Sequence, residues 1–158
     1  MPPQIRTSSC SWAICAKLSN LRELNLNQTR FTDKGLEALK TLAKLERIEM
    51  FRTRAGNAGA ATLAELTKLR VVKLDYTAVD DKGIQSLKTL PGVLELSIDN
   101  TNVTDASVGA FKAMPTLQSL NLYHTLISEK GYGELKDGLP SCKIVFDRDS
   151  ALPNRRTR

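Results

Sequence analysis

Leu21-Arg22-Glu23-Leu24-Asn25-Leu26 sets its leucines in the pattern LxxLxL, and four later segments repeat it. They are Leu45-Glu46-Arg47-Ile48-Glu49-Met50, Leu69-Arg70-Val71-Val72-Lys73-Leu74, Val93-Leu94-Glu95-Leu96-Ser97-Ile98 and Leu117-Gln118-Ser119-Leu120-Asn121-Leu122. Their starts at 21, 45, 69, 93 and 117 give a period of 24 residues in every interval. The alternation that ends each segment predicts a short strand with one buried face. Recurrence at one fixed period marks a stack of like units.

Further columns keep the same register. Three residues after each LxL stands a threonine: Thr29, Thr53, Thr77, Thr101 and Thr125. These are expected to satisfy buried backbone groups in the turns with their hydroxyls. Phe31, Ala55, Val79, Val103 and Ile127 follow two residues later. Next come Thr32-Asp33, Asp80-Asp81, Thr104-Asp105 and Ser128-Glu129, whose side-chain oxygens suit the unpaired N–H groups of a helix start. The apolar spacing then becomes helical, with Leu36, Leu39 and Leu42, then Ile84, Leu87 and Leu90, then Val108, Phe111 and Met114 on one face. Each unit is therefore a strand, a turn, a short helix and a return.

One such unit cannot bury its own apolar side chains, each worth roughly 1.5–3 kcal/mol once covered. Stacked neighbours supply the cover and build a parallel sheet on one side and helices on the other. The repeats resemble the leucine-rich-repeat family in the form LxxLxxLxLxxTxVTDxGLxxL, a pattern similar to bacterial and ribonuclease-inhibitor-like arrays. The resemblance covers about residues 12–146. It implies an α/β right-handed β-α superhelix, a solenoid with the parallel sheet concave and the helices convex. It is nearly silent on function.

The expected organisation is a degenerate N-terminal half-repeat over residues 1–20, five repeats over 21–140, a terminal strand over 141–148 and a disordered basic tail over 149–158. Trp12, Cys15 and Leu18 lie 24 residues before Leu36, Leu39 and Leu42, so residues 8–18 are expected to form a helix. With no LxxLxL ahead of it, the first edge of the sheet is expected to be poorly capped, to be covered by residues 1–11, by a second chain, or by further sequence upstream. An exposed repeat end of this kind is a candidate for homodimer contact. Repeat two carries Ala55-Gly56-Asn57-Ala58-Gly59-Ala60-Ala61 in place of VTDxGL, which leaves its helix either close to its neighbours or locally loose, and it is expected to be the weakest packed unit. The closing Leu139-Pro140-Ser141-Cys142-Lys143-Ile144-Val145-Phe146 reads as slipped by one residue, with Ile144 and Phe146 inward.

The net charge of +6 invites a polyanion partner, but its placement disfavours one. Residues 21–144 hold 17 Lys/Arg against 15 Asp/Glu, and the rest of the excess lies at the two ends. Nucleic acid is thus disfavoured as a partner, and any such binding is expected to use Arg148, Arg155, Arg156 and Arg158. No apolar run approaches the roughly 18 residues of a membrane span, and the N-terminus lacks the pattern of a secretory signal. Three cysteines, Cys10, Cys15 and Cys142, give no complete disulfide framework and no CxxC pair, which fits reduced thiols and a cytoplasmic location.

Outward positions of the strands and of the residues just beyond them form columns across the sheet. The candidate partner-binding residues there are Arg47, Phe51, Arg52, Lys73, Asp75, Tyr76, Asp99, Asn121, Tyr123 and His124. Three of the eight aromatic residues, Phe51, Tyr76 and Tyr123, fall at positions the fold turns to solvent, beside Arg47 and Arg52. Aromatic and Arg anchors dominate interface energetics. Asp75 and Asp99, with Glu95, form an acidic centre, and a face of mixed sign suits a protein or peptide better than a polyanion. The lysines on the helical side read as a solvated face.

An enzyme is not expected. His124 is the single histidine, and the nearby Ser97, Ser119 and Asp99 come with no nucleophile elbow or oxyanion hole. No HExxH, Walker loop or dinucleotide fingerprint occurs, so neither cofactor nor metal is expected, although Asp75, Asp99 and His124 carry ligand-type side chains in neighbouring columns.

Overall fold

A computed structural model describes residues 4–6 and 20–149. Seven strands form one parallel sheet in sequence order: β1 (Gln4–Arg6), β2 (Glu23–Asn25), β3 (Arg47–Glu49), β4 (Val71–Lys73), β5 (Glu95–Ser97), β6 (Ser119–Asn121) and β7 (Lys143–Val145). Each LxxLxL therefore supplies one strand, with its middle apolar residue buried at the strand centre. Leu24, Ile48, Val72, Leu96 and Leu120 stack in register, and Ile144 continues the column. The five preceding LxxL leucines or valines and the apolar residue that closes each LxL are buried with them.

The return limbs carry helices α1 (Asp33–Leu36), α2 (Asn57–Leu63), α3 (Asp81–Leu87), α4 (Val108–Lys112) and α5 (Glu129–Gly138). A 3-10 segment, Glu37–Thr41, continues α1, and another, Asp105–Ser107, precedes α4. Their apolar stripes close the core from the other side: Leu36, Leu39 and Leu42, Ile84, Leu87 and Leu90, and Val108, Phe111 and Met114 are all buried.

Two sets of side-chain bonds recur along the stack, one within each repeat and one between repeats. All five column threonines donate their hydroxyls to the carbonyl three residues back, Leu26, Met50, Leu74, Ile98 and Leu122, at 2.6 to 3.1 Å. That hydroxyl closes the turn that leaves each strand. The second set links helix starts. Asp33 accepts from the Gly56 N–H, Asn57 from Asp80 and Gly83, Asp81 from Thr104 and Ser107, and Asp105 from Ser128. The carboxylate or amide of one repeat thus serves the helix N-terminus of the following repeat. Within their own repeats Asp80, Thr104 and Ser128 also cap, whereas Thr32 makes no side-chain cap bond.

Several expectations change. Of the covers expected for the first edge of the sheet, the one within residues 1–11 is present as a strand: β1 pairs along β2, with Ile5 opposite Leu24, only 19 residues away instead of 24. The shortened spacing hid it from the periodic pattern. Repeat two is not locally loose, because α2 matches α3 in length and its Gly59, Ala60, Thr62 and Leu63 are buried. Small side chains let it seat close to α1, and Asn57 caps the next repeat instead of its own. The terminal strand is not slipped, since Ile144 pairs with Leu120 across the usual 24 residues. The shift is confined to the preceding turn, where Leu139 is buried after a longer α5. Ile144 and Phe146 pack against the core as expected, and Phe146 stacks on Tyr132 at 4.4 Å. The helix expected at 8–18, the thiols of Cys10 and Cys15, and the tail beyond Asp149 lie outside the described residues.

Candidate functional site

The exposed face of the sheet is built from the outward residues of each strand and the two that follow. Gln28, Arg52, Tyr76, Asn100 and His124 all adopt left-handed backbone, with φ between 51° and 58°. Sterics disfavour this region for residues other than Gly and Asn. In four of the five the conformation accompanies the ladder: the N–H groups of Gln28, Arg52, Tyr76 and Asn100 donate to the carbonyls of Phe51, Asp75, Asp99 and Tyr123 in the next rung, at 2.7 to 3.0 Å. Each left-handed residue is the corner at which the chain leaves the sheet. Its side chain is thereby thrown out over the face.

At two of these corners the face gains its largest cluster. Phe51 and Tyr76 meet edge to face with ring centroids 5.1 Å apart. The Arg52 guanidinium lies 5.2 Å from each of the two rings. A guanidinium over aromatic faces is an attractive arrangement that leaves its N–H donors free for a further partner.

The other predicted residues separate into two kinds. Some hold the face together. Asp75 accepts from the Ser97 hydroxyl at 2.5 Å and from the Asp99 N–H at 2.8 Å. Asn121 donates to Ser97 and accepts from the Tyr123 N–H. Arg47 grips Glu49 through two bonds of 2.9 and 2.6 Å, and Asn25 and Asn27 bond the same carboxylate. Burial pushes the Glu49 carboxyl upward, but Arg47 and its other partners outweigh that and hold it below the usual range. Lys73 pairs with Glu95 at 3.1 Å.

The remaining pair lies farther along the sheet. His124 Nδ1 sits 3.2 Å from Asp99 Oδ1, and its ring lies against Tyr123 with centroids 3.9 Å apart. Burial raises the Asp99 carboxyl above its ordinary value, partly offset by His124. The expected acidic centre is therefore compensated: Glu95 by Lys73, Asp99 by His124, Asp75 by donors from Ser97 and Asp99. The expected aromatic strip is also divided. Phe51 and Tyr76 form one cluster and Tyr123 with His124 another, because repeat four places Asp99 and Asn100 between them. Tyr123 is the most open of the three rings. Among the described residues no group of three or more His, Cys, Asp or Glu is placed to hold a metal ion.

Two face-edge residues were missed by the columns drawn from sequence: Arg30 and Arg54, both exposed. They follow the threonine column by one residue, and only a comparison extended past the turn would have found them.

A stack of strand–turn–helix units, each turn closed by a threonine and all joined in one parallel sheet, decides the fold. The chain is a leucine-rich-repeat solenoid. A family model described as a leucine-rich repeat matches residues 17–40. The leucine-rich-repeat chain is similar to an internalin from Listeria monocytogenes, with a TM-score of 0.69 and 19% identity over 87% of this chain and 37% of that one. It is also similar to internalin C2 of the same organism, with a TM-score of 0.67 and 22% identity over 87% of this chain and 56% of that one. The solenoid therefore spans well under two thirds of each, and at such identity the likeness is one of fold. None of the curated proteins matches the sequence. No helix among the described residues is long and apolar enough to cross a membrane.

Proposed function

We propose that this solenoid is a protein-interaction module that binds a protein or peptide partner on the exposed face of its sheet, the inner side of the curve such a stack describes. The observation that carries the proposal is the Phe51–Arg52–Tyr76 cluster. Left-handed corners are cheapest for Gly or Asn, yet repeats two and three keep Arg52 and Tyr76 there. Bulky side chains held in sparsely populated backbone regions gather at binding sites. Aromatic rings and arginine are also the residue types that anchor interfaces. Arg47, Lys73, Asp75, Asp99 and Asn121 form the bonded remainder of the face, and Tyr123 with His124 offers a second, separate contact on it. No catalytic role is proposed for the face, which is an open sheet with its Ser, Asp and His side chains engaged in structural bonds.

Affinity capture followed by mass spectrometry tests this. A partner bound by the wild type should be lost by Phe51→Ala/Tyr76→Ala and kept by a helix-side control, Gln85→Ala/Lys88→Ala. Retention by the face variant, or loss by the control alone, would reject the face as the site.

A further inference from the structure

Charge on the edge of the face is not evenly spread. Arg30 and Arg54 occupy equivalent positions in adjacent repeats, where the later repeats carry Ala78, Asn102 and Leu126. In these loops the isolated bridge sets Arg54 beside Thr32, so Arg54 lies against the loop that carries Arg30 two residues earlier. The Arg54 N–H donates to the Phe31 carbonyl at 2.9 Å and ties the two loops together. Arg52 stands two residues before Arg54 in the same loop. All three arginines are exposed, and none forms an ion pair with a described carboxylate. Elsewhere the chain does pair such groups: Arg22 with Glu46, Arg47 with Glu49, Lys73 with Glu95 and Arg148 with Glu129.

Three like charges left together repel one another, and a bound carboxylate relieves that repulsion. An arginine fork engages a carboxylate with two parallel bonds. The Phe51–Tyr76 pair beside them offers apolar surface at the same place. The arginines do not continue along the edge, where Ala78, Asn102 and Leu126 take their place. A long polyanion gains nothing by crossing those rungs, whereas a short segment needs only the arginine patch.

We infer that repeats one to three dock a short acidic peptide segment of a protein partner. Its carboxylates lie on Arg30, Arg52 and Arg54, and an apolar side chain lies on the Phe51–Tyr76 pair. This rests on the interaction-module function proposed above and names the chemistry of its partner.

Selection from a displayed library of random dodecapeptides tests it on the full chain. The wild type should enrich Asp and Glu well above the unselected library. The triple variant Arg30→Gln/Arg52→Gln/Arg54→Gln, with circular dichroism matching the wild type, should lose that enrichment and bind the selected peptides about tenfold more weakly, close to 1.4 kcal/mol. Acidic residues at library frequency, or enriched equally by the triple variant, would overturn the inference. So would tighter binding of a single-stranded 12-nucleotide probe than of the selected peptides at equal salt. A non-acidic selected pool whose binding Phe51→Ala abolishes removes only the acidic chemistry. Selected peptides indifferent to every face substitution remove the interaction module as well.

Discussion

The hydroxyl of Ser107 donates to Oδ1 of Asp81 at 2.5 Å, at the position where every other complete repeat carries a glycine. The sequence pattern Asp-x-Gly looks local, but its two residues act across repeats. The carboxylate or amide of one repeat fills the space where a side chain of the next repeat would stand. A Cβ at Gly83 would come within 2.8 Å of Asn57 Oδ1, and one at Gly131 within 2.8 Å of Asp105 Cγ. Gly109, in α4, would meet nothing within 4 Å.

Alanine at these two glycines should therefore act with opposite sign. Gly131→Ala forces Asp105 from its bonds to Ser128 and should cost about 1–3 kcal/mol, the usual range for overpacking. Gly109→Ala should gain about 0.5–1 kcal/mol from the helix. Urea unfolding of the two variants decides the matter, and equal effects would refute the cross-repeat packing.

The threonine ladder predicts a gradient with burial. Thr125 is fully buried and Thr29 only partly so. Thr125→Val, which removes the bond to the Leu122 carbonyl, should cost on the order of 1 kcal/mol or more. Thr29→Val should cost less, because water can replace its hydroxyl. Thermal denaturation of both variants measures the difference.

Glu49 gives a pH dependence. Its folded-state pKa is depressed, so its contribution is present above the unfolded value of about 4.3 and is lost as pH falls through the folded one. The stability difference between the wild type and Glu49→Gln should be flat at neutral pH and shrink on acidification below about pH 5. Denaturant midpoints across that range check it; a difference that grew in acid would have the wrong sign.

Left-handed corners should trade stability for side chain. Gln28 is exposed and has no role in the proposed site, so Gln28→Gly should raise stability by up to about 1 kcal/mol by removing the backbone penalty. Tyr76→Gly should show the same backbone relief offset by lost contact with Phe51, and should weaken partner binding. Calorimetry on both variants, with capture on the second, separates the two effects.

The strands were legible because a period-two alternation inside a 24-residue period fixes both the register and the buried face; β2 through β6 fall inside the predicted segments. β1 was not, because its 19-residue offset breaks the period. The reach of Asp33, Asn57, Asp81 and Asp105 into the next repeat was hidden too, since a one-dimensional pattern assigns a cap to the helix it precedes. Sequence could not tell that Asp75 and Asn121 are consumed by bonds to their neighbours on the face. Nor could it tell that Arg52, set in a left-handed corner, lies over two rings. Arg30 and Arg54 escaped because they sit past the turn, outside any strand alternation.

Photocrosslinking from single positions tests the central claim most directly. A photoreactive phenylalanine analogue replaces Tyr76 in one protein and Gln85, exposed on α3, in another. Position 76 should label a discrete partner that the Phe51→Ala background no longer captures, and position 85 should label none. Labelling of that partner from position 85, with none from 76, would place the contact on the helical side and contradict the sheet face as the binding surface.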